Sequence, residues 1–198
     1  MSLHDDAVRL LTGWTAPDGE QERLRLAYLE HLGAHDDGMW RSCVPSHLTA
    51  SALVLDPPGD RVLLAFHGKG RFWAQFGGHC EPGDVTVAAA ALREAVEESG
   101  IPGLRLVGSH PVNLDRHALS SAFGSCREHL DVQFAAVAPA GAEPVVSAES
   151  AEVGWFPYDA LPTDAVDLEQ LVARARAAVL SAQSSDSASP LAAETPSR

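Results

Sequence analysis

Apolar residues recur at helical spacing at both ends of the chain. This periodicity predicts two amphipathic helices within residues 1–34 and a further helix over residues 164–181. From residue 183 onward Ser, Ala and Pro dominate, a composition typical of a disordered tail. The ends of the chain therefore read as helical additions around a central region of different character.

Alternating and continuous apolar runs predict strands in the centre of the chain. These runs cover residues 47–56, 61–67, 104–112, 129–137 and 153–158. The polar stretch 113–128 has few periodic apolar residues, which predicts a long loop that covers a functional site.

The stretch from Gly77 to Ile101 reads GGHCEPGDVTVAAAALREAVEESGI. A glycine-rich turn at Gly77 and Gly78 precedes a run of strong helix formers. A helical wheel places Glu94, Glu97 and Glu98 on one face. The opposite face is predicted to be an apolar packing stripe, formed by Val85, Ala88, Ala89, Leu92, Val96 and Ser99.

Three carboxylates at spacings i, i+3 and i+4 destabilise a helix by mutual repulsion. They also lie in its C-terminal half, where the helix dipole disfavours anions. A solvated acidic face is one interpretation. The other is a metal site, because Mg²⁺ and Mn²⁺ prefer hard oxygen ligands, and the small Ala90 and Ala91 are expected to leave room beside them.

Composition narrows the classes of function. The chain has 198 residues, 45% of them hydrophobic, enough for one domain with extensions. A net charge of -13 argues against a long nucleic acid, but not against a small phosphorylated substrate with a divalent metal. We expect no membrane span, and the odd cysteine count (Cys43, Cys80, Cys126) favours a reduced, cytoplasmic setting.

The central stretch resembles the signature of the Nudix (MutT-like) hydrolases. That signature is Gly, five residues, Glu, seven residues, then Arg-Glu-apolar-any-Glu-Glu-any-Gly-apolar. Residues 93–101, REAVEESGI, match its second half in full. The first half departs twice, because Asp84 replaces the usual Glu after Gly78 and one extra residue separates it from Arg93.

The resemblance implies an α/β/α sandwich with a mixed central sheet. It covers residues 46–162. On this interpretation residues 1–45 are an N-terminal helical extension, 163–182 a C-terminal helix and 183–198 a disordered tail. The N-terminal helices are expected either to cap the domain or to form a homodimer contact, with a role in substrate binding as the alternative.

The resemblance also implies hydrolysis of a pyrophosphate bond, with Mg²⁺ or Mn²⁺, in a nucleoside diphosphate linked to another group such as ADP-ribose. It assigns the metal to Glu94, Glu97 and Glu98, with Arg93 orienting a carboxylate. Glu97, Arg93 and Glu149 are the expected catalytic residues, and Glu149 the general base, with Glu152 as its alternative. The expected substrate contacts are Gly78, Arg116 and Asp131.

Other functions stay open on the sequence alone. The same fold can serve as a nucleotide sensor that has lost catalysis, or as an isomerase of isoprenyl diphosphates. A zinc site formed by His79, Cys80 and His129 is a further alternative.

Overall fold

The computed structural model describes residues 1–68, 70–119, 126–145, 150–165 and 168–187. Its helices are α1 (Leu3–Gly13), α2 (Gly19–Ala34), α3 (Val87–Ser99) and α4 (Glu169–Ser187). Its strands are β1 (Ser46–Leu55), β2 (Arg61–His67), β3 (Phe72–Ala74), β4 (Phe76–His79), β5 (Arg105–Leu106), β6 (Asn113–Ala118), β7 (Glu128–Val137) and β8 (Ser150–Pro157).

Strand β1 is the centre of a mixed sheet. It runs parallel to β7 over its whole length, from the pair Ser46 and Glu128 to the pair Leu55 and Val137. On its other side it pairs antiparallel with β4 and β2, while β3 and β8 extend the sheet from β2. Strands β5 and β6 pair with β7. The predicted mixed sheet is confirmed.

Helices cover both faces of this sheet. Side chains alternate along β1, so Leu48, Ala50, Ala52 and Val54 join the hydrophobic cluster of α1, α2 and α3, here called the α3 face. Leu53 and Leu55 point the other way and pack with Leu168 and Leu171, on the α4 face. The layers are those of an α/β/α sandwich, as the sequence predicted.

The strand predictions are wrong in part: of residues 104–112 only Arg105–Leu106 form a strand, β5, and two further stretches differ. Residues 113–118, predicted as loop, form β6, whose backbone pairs with β7 although its side chains are largely polar. Gly77 and Gly78, predicted as a turn, lie within β4 and pair with Ser51 and Ala50. In both places backbone pairing decides the structure, and the side-chain pattern does not report it.

Helix α3 buries a different stripe from the one predicted. Its enclosed residues are Val87, Ala90, Ala91, Ala95 and Ser99. Val85 precedes the helix and is 75% exposed, while Leu92 and Val96 are half-buried at the margin. Small alanines let the helix lie close to β1 and β4. Ala90 and Ala91 therefore serve packing and do not leave room for a substrate.

The N-terminal helices are joined to the domain by buried polar contacts. The Asp6 carboxylate of α1 accepts a 2.9 Å hydrogen bond from the Val87 backbone N–H, at the start of α3. On α2, the Gln21 side chain exchanges two hydrogen bonds with the Leu114 backbone of β6. These contacts place the N-terminal helices against the elements that carry the candidate site.

The last helix continues beyond its predicted end. Residues 183–187, predicted to belong to the disordered tail, are the last five residues of α4, and residues 188–198 lie outside the described residues. Within the described ranges, no helix combines the length and apolar character that crossing a membrane requires.

Candidate active site

The glutamates of α3 lie against strand β4. The Gly77 N–H donates to Glu98 Oε2 at 3.1 Å. A Cβ added to Gly78 would lie 2.7 Å from Glu94 Oε1, so only glycine fits here without moving that carboxylate. Glu94 is 14% exposed and Glu97 60% exposed. Two carboxylates therefore flank the β4 backbone and the third points towards solvent.

Arg93 connects these carboxylates to the loop before α3. Its guanidinium donates two hydrogen bonds to Asp84, each 3.0 Å long. One nitrogen also contacts Glu94 at 3.0 Å and Glu97 at 3.1 Å, and another donates to the His79 carbonyl at 3.1 Å. Arg93 therefore fixes the positions of two of the three predicted metal ligands.

The ion pair between Arg93 and Asp84 is largely enclosed, since the Asp84 side chain is 6% exposed. Burial acts to raise the pKa of Asp84, but hydrogen bonds from Arg93 and from the Glu81 backbone N–H outweigh it, and the net pKa is lowered. Hydrogen bonding to Asp84 is the main reason why the pKa of Arg93 is raised. Asp84 thus holds Arg93 in place, and this is the structural role of the acidic residue that stands where the family signature has Glu.

Asp131 lies in a buried polar network on the α4 face. Its carboxylate accepts hydrogen bonds from the Thr49 hydroxyl at 2.8 Å, the Ser51 hydroxyl at 2.6 Å and the Gln133 amide at 3.0 Å. The Gln75 amide approaches within 3.4 Å. The residue is 3% exposed, so its direct role is to hold these polar side chains in place.

Arg116 lies on β6, three strand spacings across the sheet from β4. It pairs with Glu128 at 2.7 Å and lies opposite Leu130, which belongs to the α3-face cluster. Strands β4, β1, β7 and β6 are successive neighbours, which puts Arg116 about 14 Å from β4 across the sheet. The structure thus does not group Arg116 with the α3 carboxylates.

Of the two candidates for the general base, the structure describes only Glu152. Glu149 lies outside the described residues. Glu152 is exposed on β8, where it pairs with Phe66 of β2.

A histidine cluster on the α4 face was only partly anticipated from the sequence. His47 of β1 pairs in register with His129 of β7, which pairs with His117 of β6, and His79 of β4 lies beside them. Burial is the main cause that lowers the pKa of His79 to about 4 and that of His129 to about 3. Four strands supply these rings, so linear spacing gives no signal for the whole cluster.

Cys80, the third member of the zinc alternative, does not belong to this cluster. It is a buried member of the α3-face core, and burial raises the pKa of its thiol to about 12.

Comparison with known proteins agrees with this geometry. The family model described as NUDIX domain matches residues 45–176, more than half of the chain. The chain belongs to the Nudix family. It is an enzyme of the pyrophosphohydrolase class, as the sequence predicted.

Solved structures show the same fold. A NUDIX-family hydrolase from Clostridium perfringens is 21% identical, with a TM-score of 0.53 over 67% of this chain and 95% of that chain. The dihydroneopterin triphosphate pyrophosphohydrolase of E. coli is 19% identical, with a TM-score of 0.52 over 68% of this chain and 92% of that one. None of the curated proteins matches the sequence significantly.

Proposed function

We propose that this protein is a Mg²⁺- or Mn²⁺-dependent hydrolase that cleaves the pyrophosphate bond of a nucleoside diphosphate linked to a second group. One observation carries the proposal: α3 gathers Glu94, Glu97 and Glu98 beside two glycines of β4. These carboxylates repel one another, and bound divalent cations would neutralise their charge.

The residues present fit a hard divalent cation. Glu94, Glu97 and Glu98 supply carboxylate oxygens, the donor type that Mg²⁺ and Mn²⁺ favour. The missing side chain at Gly78 lets the Glu94 carboxylate lie directly against the β4 backbone. When bound, such ions neutralise charge on phosphate oxygens and acidify the attacking water.

The protein's own groups orient these ligands. Arg93, held by Asp84, positions the Glu94 and Glu97 carboxylates, and the Gly77 N–H positions Glu98. Outer hydrogen bonds of this kind fix the geometry of metal ligands. In this proposal Glu97 also contributes to catalysis and Arg93 acts as a positioning residue.

Residues elsewhere contact the rest of the substrate in this proposal. Asp131 stays our proposed substrate contact; because it is 3% exposed, it would act through the half-buried Gln75 amide, which lies 3.4 Å from its carboxylate. Arg116 would bind a phosphate by exchanging its Glu128 partner for phosphate oxygens. Glu149 remains our proposed general base, and Glu149→Gln is expected to lower kcat by about 100-fold or more.

A substrate panel tests the proposal. Purified protein is incubated with ADP-ribose, dinucleoside polyphosphates, NADH, coenzyme A and oxidised nucleoside triphosphates, with Mg²⁺ or Mn²⁺. Chromatography follows the release of mononucleotide or phosphate. We expect metal-dependent cleavage at the pyrophosphate of at least one compound, abolished by EDTA. Cleavage that survives EDTA would contradict the metal role.

A further inference from the structure

Four histidines and one cysteine meet on the α4 face, separate from the α3 carboxylates. The rings of His47, His79 and His129 form a triangle with centroids 5.0, 5.1 and 5.1 Å apart. The ligand atoms of His47, Cys126 and His129 lie within 4.8 Å of one another. His117 packs against His129 at 5.4 Å on the outer side.

The hydrogen bonding of His47 leaves one nitrogen aimed into protein without a partner. Its Nδ1 lies 3.2 Å from the Cys43 carbonyl, which can only accept, so Nδ1 carries the proton. Its Nε2 is enclosed and has no hydrogen-bond partner among the residues that the structure describes. His47 is 1% exposed. A buried lone pair left unsatisfied is costly, and a bound ion is one way to satisfy it.

The distances suit a small tetrahedral cation. Zinc sites have Zn–N distances of about 2.0–2.1 Å and Zn–S distances of about 2.3 Å, so imidazole and thiolate ligands lie about 3.5 Å apart. The ligand atoms of His47, Cys126 and His129 lie within 4.8 Å of one another, so binding would draw the thiolate and the imidazole nitrogens together by about 1 Å. Imidazole rings that share such an ion have centroids separated by about 5 Å, as these three rings do.

We propose that His47, His79, His129 and Cys126 form a binding site for a zinc-class transition metal ion, distinct from the site at Glu94, Glu97 and Glu98. The nitrogen and sulfur donors select such an ion over Mg²⁺. Binding replaces the Cys126 thiol proton, which leaves to solvent, and the thiolate offsets part of the charge of the bound ion.

Such an ion would tie three strands together next to the active site. His47 lies on β1, His79 on β4 and His129 on β7. The backbone carbonyl of His79 also accepts the hydrogen bond from Arg93. The bound metal would therefore hold β4 in the position that Arg93 and the α3 carboxylates require.

Cobalt absorption tests the proposal with a readout that does not depend on turnover. Protein stripped with EDTA is titrated with Co²⁺ in the presence of excess Mg²⁺. We expect one equivalent to give the intense visible bands of tetrahedral Co²⁺ and a thiolate-to-cobalt charge-transfer band. Zn²⁺ should displace the ion, because zinc binds nitrogen and sulfur sites more tightly than cobalt.

Variants assign the ligands. Cys126→Ser should abolish the charge-transfer band, and His129→Ala should weaken Co²⁺ binding by about 100-fold or more. Cys80→Ser and the exposed His110→Ala are matched controls that should keep the full spectrum. Glu98→Gln should also keep it, because the carboxylate site is separate. A wild-type spectrum of octahedral Co²⁺ only, or a charge-transfer band that survives Cys126→Ser, would overturn the proposal.

Discussion

Arg93 is the residue on which the candidate site depends most. Its guanidinium bonds at once to Asp84, Glu94, Glu97 and the His79 carbonyl, so one side chain connects the loop before α3, two predicted ligands and β4. A lysine could not reproduce this, since its ammonium lacks the planar fork of donors. The local order of the site therefore follows from a single residue within α3.

Gly78 gives a sharp test of the Glu94 position. In Gly78→Ala the new Cβ would lie 2.7 to 2.9 Å from the Glu94 carboxylate, which must move. A displaced ligand of about 1 Å costs about 100-fold in rate, so we expect a loss of that size in kcat/KM. Gly83→Ala is the control, because no atom lies within 4 Å of its added Cβ. Full activity of Gly78→Ala would exclude Glu94 as a ligand.

The buried Asp84 carboxyl predicts a specific pH dependence of stability. Its pKa is lowered in the folded protein from the ordinary value of 3.8. The stabilisation is therefore present above that unfolded-state value and is lost as the pH falls through the folded-state pKa.

The measurement is urea unfolding of wild type and Asp84→Asn from about pH 7 to about pH 3. At about pH 7 wild type should be more stable than Asp84→Asn. The difference in unfolding free energy between the two proteins should shrink as Asp84 is protonated. A difference that stays constant over this range would show that the pair with Arg93 does not lower the pKa.

At the scale of elements, part of the N-terminal capping of α3 comes from another helix. The Asp6 carboxylate of α1 accepts a hydrogen bond from the backbone N–H of Val87, at the start of α3. The two residues are 81 positions apart in the sequence. Thr86 adds a second cap by accepting from the Ala89 N–H at 3.0 Å. Negative charge at the start of a helix also stabilises it by interacting favourably with the helix dipole. The N-terminal extension thus stabilises the helix that carries the predicted ligands.

Asp6→Ala should lower the free energy of unfolding by about 1–2 kcal/mol, the cost of a lost N-terminal cap. Asp6→Asn keeps an acceptor oxygen and should lose less. Asp36→Ala, at an exposed position, should stay within about 0.5 kcal/mol of wild type. Thermal and urea unfolding measure all three, and an Asp6→Ala protein as stable as wild type would show that the cap is unimportant.

At the scale of the whole molecule, local patterns proved predictable and long-range ones did not. Glu94, Glu97 and Glu98 lie within one helical turn or little more, so sequence alone placed them on one helix. The parallel pairing of β1 with β7 that brings His47 to His129 leaves no such local trace. Strand β6 also leaves no local trace, because its side chains are largely polar and its sequence is typical of a loop.

The buried face of α3 was misassigned for a related reason. Alanines occupy four consecutive positions from 88 to 91, and hydrophobicity alone does not distinguish which of them pack. The structure resolves this by the close approach of α3 to β1 and β4, which encloses Ala90 and Ala91 and leaves Leu92 at the margin.

The central claim is that the α3 glutamates hold the metal required for hydrolysis, and the most direct measurement is Mg²⁺-dependent turnover of the panel compound cleaved by wild type. Glu98→Gln removes a carboxylate that the Gly77 N–H orients, and should reduce turnover by about 100-fold or more with an unchanged circular dichroism spectrum. Glu30→Gln, on the exposed side of α2, should match wild type. Wild-type turnover in single Gln variants at Glu94, Glu97 and Glu98 would contradict the account.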